Sequence, residues 1–253
     1  MTKPSDLVRR FFLWTFLGLT FLVLGLDSVA AVDYGLHGQA WANGLGIAYF
    51  SLLLFALTPQ QRLMALVFVP FSAIGEGIFS LLFGLYRYRL GMVPIYVPFG
   101  HAILFSMGLL VSELPAIRDR KESLRPIFIA LYVAAFGTAI LWLHDTLSAI
   151  FGLVFLWVLR RKGYNSLYFL MGLFVLYVEL VGTHWGCWAW TPHPFNQSWL
   201  SATNPPVGAF ACYVLADLGV MKIVRHLGAR LDLNEVDTVD TLSNLDPQRT
   251  MLG

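Results

Sequence analysis

The chain has 253 residues, 57% hydrophobic and only 13% charged, with a formal net charge of +2. Soluble domains carry about a quarter charged residues, so a soluble globular class is excluded, and the apolar residues fall in blocks near the roughly 20 that cross a bilayer as a helix. Two cysteines, Cys187 and Cys212, offer neither a metal-ligand spacing nor a disulfide framework.

Cutting the chain at its charge and proline clusters predicts eight spans, at 11–32, 39–57, 63–85, 93–114, 127–143, 147–159, 167–188 and 206–224. The first follows Arg9 and Arg10 and has a rival reading as a cleavable leader ending at Ser28-Val29-Ala30. It is long for the apolar core of a signal, so it reads as a span. Asp27, near its far end, reads as structural or interfacial. The fifth and sixth are separated only by His144, Asp145 and Thr146, which read as a tight turn. Merging them would exceed the roughly 30 Å of hydrocarbon and place His144 and Asp145 in mid-membrane. Charge supports the hairpin. With the N-terminus inside, all Lys and Arg except Arg87 and Arg89 face the cytoplasm, as the positive-inside rule expects. The expected location is an integral membrane protein, of a bacterial inner membrane, with both termini cytoplasmic. Beyond Arg230 the acidic residues Asp232, Glu235, Asp237, Asp240 and Asp246 predict a flexible cytoplasmic tail.

The third and seventh spans resemble each other. Glu76, Ser80 and Gly84-Leu85-Tyr86-Arg87-Tyr88 are matched by Glu179, Thr183 and Gly186-Cys187-Trp188-Ala189-Trp190, with one residue fewer between Glu and Gly in the second set. Each is followed by a proline-rich turn and by Pro-x-Gly opening the next span, Pro98-Phe99-Gly100 and Pro206-Val207-Gly208. Four spans return the chain to the same face, so the expected fold is an all-α polytopic helical membrane bundle of eight transmembrane helices in a 4+4 parallel internal repeat. The units would be 1–114 and 127–228, joined by a basic cytoplasmic loop at 115–126 and followed by the tail at 229–253. Chance likeness between two amphipathic hairpins is the plainer alternative.

Carboxyls in hydrocarbon face a cavity, pair, or stay protonated, which makes Glu76, Glu179 and Asp217 the catalytic candidates. Interhelical hydrogen bonding is the competing role for each. Lys222, five residues beyond Asp217, is explained by snorkelling. Ser80, Tyr86, Tyr88, His101, Thr183, His184, Trp188, Trp190 and Asn204 are the substrate-binding candidates. An aromatic belt at the membrane edge accounts equally for Tyr86, Tyr88, Trp185, Trp188, Trp190 and Trp199. Rings beside carboxyls also suit carbocation chemistry, in which an acid protonates an alkene and the rings stabilise the cation. No metal, cofactor, phosphate loop or nucleophile motif is expected, and the basic residues give no support for nucleic-acid binding.

With these residues in view, Phe83-Gly84-Leu85-Tyr86-Arg87-Tyr88-Arg89-Leu90-Gly91, followed by Val93-Pro94 and Val97-Pro98, resembles a stretch of the integral-membrane carotenoid hydratases. The likeness covers some 30 residues and departs from the family at Asn204-Pro205-Pro206-Val207-Gly208. It implies addition of water to a terminal double bond of a long isoprenoid without a redox cofactor, with Glu76 and Glu179 as proton donor and water-orienting group. A small secondary transporter and a non-catalytic lipid-binding protein remain open beside the enzyme, with a membrane lipid or isoprenoid as partner and homo-oligomerisation undecided.

Overall fold

The structure, a computed structural model, describes residues 4–230, so the expected tail lies, from residue 231, outside the described residues. It is 75% helical. The helices are α1 Asp6–Leu26, α2 Val29–Asp33, α3 Gln39–Phe55, α4 Pro59–Glu76, α5 Tyr96–Ser112, α6 Pro115–Arg118, α7 Lys121–Leu141, α8 Thr146–Arg161, α9 Ser166–His184 and α10 Phe210–Arg230, with two short strands, β1 Tyr86–Tyr88 and β2 Trp188–Trp190. Each predicted span overlaps one long helix. Among the described residues five helical stretches are long and apolar enough to cross a membrane: α1, α4 with its continuation to Leu82, α7, α9, and α10 with the turn before it. The other three, α3, α5 and α8, have 17, 17 and 16 residues, or about 24–26 Å at 1.5 Å per residue.

Local chemistry sets the helix ends. Thr58 and Gln61 form a capping box ahead of α4, with Pro59 in its first turn, where a missing N–H is harmless. Asp145 caps α8 through the Ser148 N–H, and Asn165 caps α9 through that of Leu167. The expected 11–32 span breaks at Asp27-Ser28. The Asp27 carboxylate is drawn onto Arg89 and Tyr96, and the Ser28 hydroxyl caps α2 instead. The expected 63–85 span is α-helical only to Glu76. It continues as a π-helical turn over Gly77–Leu82, in which the Phe83 N–H donates to the Ile78 carbonyl at 2.8 Å. The basic 115–126 segment is not all loop: it holds α6 and the start of α7, where Pro126 sits near the N-terminal end.

The centre is built from α4, α5, α9 and α10. Each of α5 and α10 packs against both α4 and α9. α5 is apolar on every side and buried along almost its whole length, as a helix with no polar face must be. Phe68 stacks on Phe105 between α4 and α5, with ring centroids 5.1 Å apart. In the other half Phe155 meets Phe210 edge-on at 4.6 Å. α1 and α3 flank α5, while α7 and α8 pack on each other and α8 on α10.

At one end of the bundle the two strands pair antiparallel, Tyr86 opposite Trp190, Arg87 opposite Ala189 and Tyr88 opposite Trp188. The fold is therefore not purely helical. Strict alternation of aromatic and other residues in Tyr-Arg-Tyr and Trp-Ala-Trp puts both rings of each strand on one face. The rings are buried, and Arg87 and Ala189 are exposed on the other side. Gly84 and Gly186, at φ +61° and +68°, turn the chain out of each helix into its strand, a left-handed conformation that suits glycine.

Candidate functional site

Alternation in β1 and β2 turns Tyr86, Tyr88, Trp188 and Trp190 inward onto the ends of α4 and α9, where the two glutamates lie. Glu76 is almost fully buried. Its Oε2 accepts hydrogen bonds from the Tyr88 hydroxyl at 2.7 Å and the Tyr86 hydroxyl at 2.9 Å, and its Oε1 lies 2.9 Å from His101 Nε2 on α5. The imidazole stacks on the Tyr213 ring of α10, 4.3 Å between centroids and 11° from parallel. Glu179 is equally buried, and its Oε2 accepts from the indole N–H of Trp188 and of Trp190, both at 2.9 Å. Hydrogen bonds to a charged group contribute about 1.5–3 kcal/mol each, so each donor set offsets part of the cost of burying a carboxyl.

The two arrangements correspond position by position. Glu76 is the last residue of α4 and Glu179 lies five residues before the end of α9 at His184, and each is held through one oxygen by the two rings of the strand that follows. The extra residue between Glu76 and Gly84 is taken up in the π-helical turn, and the strands still pair in matched register. One position differs. His101 follows Pro98-Phe99-Gly100, and Ala209 follows Pro206-Val207-Gly208. No protein donor among the described residues reaches Glu179 Oε1.

Both glutamates line one cavity of about 410 Å³, with Tyr86, Tyr88, His101, Trp188, Trp190 and Tyr213. Most of the rest of the wall is apolar, from Phe16 and Val23 of α1 to Phe71 of α4 and Ile103 of α5, with Thr20, Tyr49, Ser72, Tyr96 and Cys212 among it. Ile74 of α4, Ile78 of the π-helical turn and Leu215 of α10 also line it, and all three are exposed on the flank of the bundle. The cavity thus reaches the apolar side of the molecule.

Two carboxylates outside the cavity hold the loops above it. Asp27 Oδ1 pairs with Arg89 Nη2 at 2.5 Å, Arg89 Nε donates to the Asp27 carbonyl, and the Tyr96 hydroxyl donates to Oδ2 at 2.9 Å. These bonds tie the end of α1 to the segment after β1 and to the start of α5. Asp145 accepts from the Ser148 N–H at 2.8 Å and hydroxyl at 2.7 Å and from the Thr203 hydroxyl at 2.5 Å, while Ser148 accepts from the Gly208 N–H. That tie joins the α7–α8 turn to the approach of α10. His144, part of the expected tight turn, is exposed and has a positive φ of 53°.

The other candidates lie elsewhere. The Ser80 hydroxyl donates to the Tyr86 carbonyl and props β1. Thr183 bonds to the carbonyls of Glu179 and Leu180 on its own helix. His184 is exposed beside Trp185. Asn204 accepts from the Trp190 N–H at 3.0 Å and so anchors β2. Asp217 is completely buried but does not line the cavity; it sits beside Tyr168 of α9. Tyr96 and Tyr213 line the cavity without having stood out in the sequence. Tyr213 shares a face of α10 with Asp217, four residues on, and that spacing was its one signal. Among the described residues no group of three or more His, Cys, Asp or Glu is placed to hold a metal ion. No family model, no curated protein and no solved structure matches the chain.

Proposed function

We propose that the chain is an integral membrane enzyme acting on a long isoprenoid or comparable lipidic substrate by acid/base chemistry of the hydration, cyclisation or isomerisation type. The observation that carries this reading is that two buried carboxyls with unlike partners face one ring-lined cavity that reaches the apolar flank of the bundle. A cavity of about 410 Å³ takes the end of such a molecule while the remainder of the chain lies in lipid. In hydration, a proton adds to the terminal alkene carbon and leaves a tertiary cation beside the rings. Water then supplies its oxygen to that cation and returns a proton, for a net gain of one water. Glu179, whose Oε1 takes no hydrogen bond from the protein, is assigned the proton delivered to the alkene. Glu76, with two phenols on one oxygen and His101 on the other, is assigned the orientation of water and receipt of its proton.

Topology belongs to the same reading. All eight long helices cross the membrane, with the end opposite the strands cytoplasmic, as in a bacterial inner membrane. In favour are the positions of Arg62, Arg118, Arg125, Arg160 and Arg161 in or beside the turns of that end. α5 has no face in lipid, so its short length meets no mismatch. The matched strand register, the matched Glu–ring bonds and the absorbed extra residue favour descent from a duplicated four-helix unit. Glu76, Tyr86 and Tyr88, which come together at the cavity, belong to the stretch resembling the carotenoid hydratases.

The test is turnover of acyclic isoprenoids in membranes carrying the wild type, Glu76→Gln or Glu179→Gln. General acid or base catalysis contributes about 10²–10⁴-fold, so each variant loses at least about 100-fold while retaining its fold. Full turnover in both overturns the assignment. Proton-coupled uptake into liposomes without chemical change would establish a carrier instead.

A further inference from the structure

The cavity has an imbalance of charge. Among the described residues its wall contains Glu76 and Glu179 but no Lys or Arg, and the one basic group there, His101, is engaged with Glu76. Glu179 faces only the two neutral indole donors, both on Oε2, and where the related position in the first half carries His101 the second half has Ala209. Next to it the rings of Tyr86 and Trp190 lie 4.7 Å apart at 48°, forming a continuous aromatic wall. A carboxyl with an unoccupied oxygen, set against aromatic rings in a space of low dielectric, attracts an organic cation by charge and by the ring quadrupoles together.

We propose that this cavity is a binding site for lipophilic ammonium compounds. The ammonium head, bearing one N–H, sits between Glu179 Oε1 and the Tyr86–Trp190 wall and donates its hydrogen bond to that oxygen. Its alkyl or isoprenoid chain runs along the apolar wall toward Ile74, Ile78 and Leu215 at the flank. The head takes the place that the His101 imidazole occupies in the other half. A neutral molecule of the same shape gains the apolar contacts but neither the ion pair nor the interaction with the rings. The proposal rests on the same cavity as the functional reading, with the ammonium standing where a carbocation would develop, yet it requires binding alone.

The experiment uses the full chain in lipid nanodiscs, with N,N-dimethyldodecylamine, protonated at neutral pH, and its uncharged isostere 2-methyltetradecane as probes. Binding is read from thermal stabilisation and from the change in tryptophan emission, assigned with Trp190→Phe. The amine binds at least about tenfold more tightly than the isostere. Glu179→Gln removes that preference, while Asp217→Asn, away from the cavity wall, keeps it. Ala209→His, which supplies the missing imidazole and leaves Glu179 in place, also removes it, and this covers the case in which Glu179→Gln fails to fold. Equal binding of the two probes, or an undiminished preference in folded Glu179→Gln or Ala209→His, overturns the proposal. Preference for the amine without turnover of any isoprenoid overturns only the enzymatic reading; turnover without that preference overturns only this one.

Discussion

Gly182 is a position beside the site where one added carbon meets a buried ring. It lies on α9 between Glu179 and β2, and a Cβ built there would stand 2.0, 2.3 and 2.5 Å from three atoms of the Trp188 six-membered ring. Carbon atoms at rest lie about 3.5–4.0 Å apart, so the ring must retreat by roughly 1.5 Å. Its indole N–H now sits 2.9 Å from Glu179 Oε2, and a shift of that size takes it out of hydrogen-bonding range. Overpacking costs about 1–3 kcal/mol and depriving a buried acceptor of a hydrogen-bond donor about 1–3 kcal/mol. The two effects share one ring and do not add fully, which leaves about 2–5 kcal/mol for Gly182→Ala. At about 2–4 °C per kcal/mol for a chain of this size, the unfolding midpoint in nanodiscs falls by about 4–20 °C, with a change in tryptophan emission. Gly75→Ala is the control, because nothing lies within 4 Å of its added Cβ; there the helix gains up to about 1 kcal/mol in propensity. If Gly182→Ala melted with the wild type and kept its emission, the close seating of Trp188 on α9 would be refuted.

Arg89→Met strands the buried Asp27 carboxylate without its counter-ion, which costs about 3–5 kcal/mol. The double variant with Asp27→Asn recovers much of that loss in thermal unfolding, whereas equal destabilisation of single and double variants would speak against the pair. Asp145→Ala removes the α8 cap and the bond to Thr203; the cap alone contributes about 0.5–2 kcal/mol. Hydrogen exchange then accelerates both in the first turn of α8 and around Thr203, and a change confined to α8 would count against the tie. Asp217 is buried beside Tyr168 but away from the cavity wall. Asp217→Asn accordingly alters melting and leaves the preference for the amine probe intact; losing that preference would join Asp217 to the site.

Apolar blocks locate the helices because burial and backbone satisfaction in hydrocarbon leave few alternatives to a helix. They locate helix ends poorly. Asp27-Ser28 lies inside an apolar run, and only the approach of Arg89 and Tyr96 from distant segments turns it into a break. The π-helical turn after Glu76 is invisible to hydropathy, although the single extra residue relative to the Glu179 segment hints at it. Tyr-Arg-Tyr and Trp-Ala-Trp alternate with the period of a strand, but three residues are too few to be read as one until a partner is available. The same limit applies at the site. The spacing of Glu76 to Tyr86 and Tyr88 is local and can be read along the chain. The contacts of Glu76 with His101, and of His101 with Tyr213, depend on how α4, α5 and α10 pack, which the periodicity of any one of them does not specify.

The two Glu–strand arrangements resemble each other, and under the proposed acid/base reading the use of the two carboxyls follows from where the arrangements differ. A strictly symmetric pair, each glutamate with two equivalent ring donors and equivalent neighbours, would leave nothing in the surroundings to decide which group gives and which receives a proton. Phenols and an imidazole on one side, with indoles and Ala209 on the other, remove that equivalence while the strand pairing keeps both groups over the same cavity. Replacing His101 by alanine should therefore do more than delete a contact. It makes the Glu76 side resemble the Glu179 side, and turnover should fall even though both carboxyls remain, with amine binding extended to a second position. A His101→Ala protein that kept full turnover and a single amine site would show that the imidazole supports the helix packing and has no part in distinguishing the two glutamates.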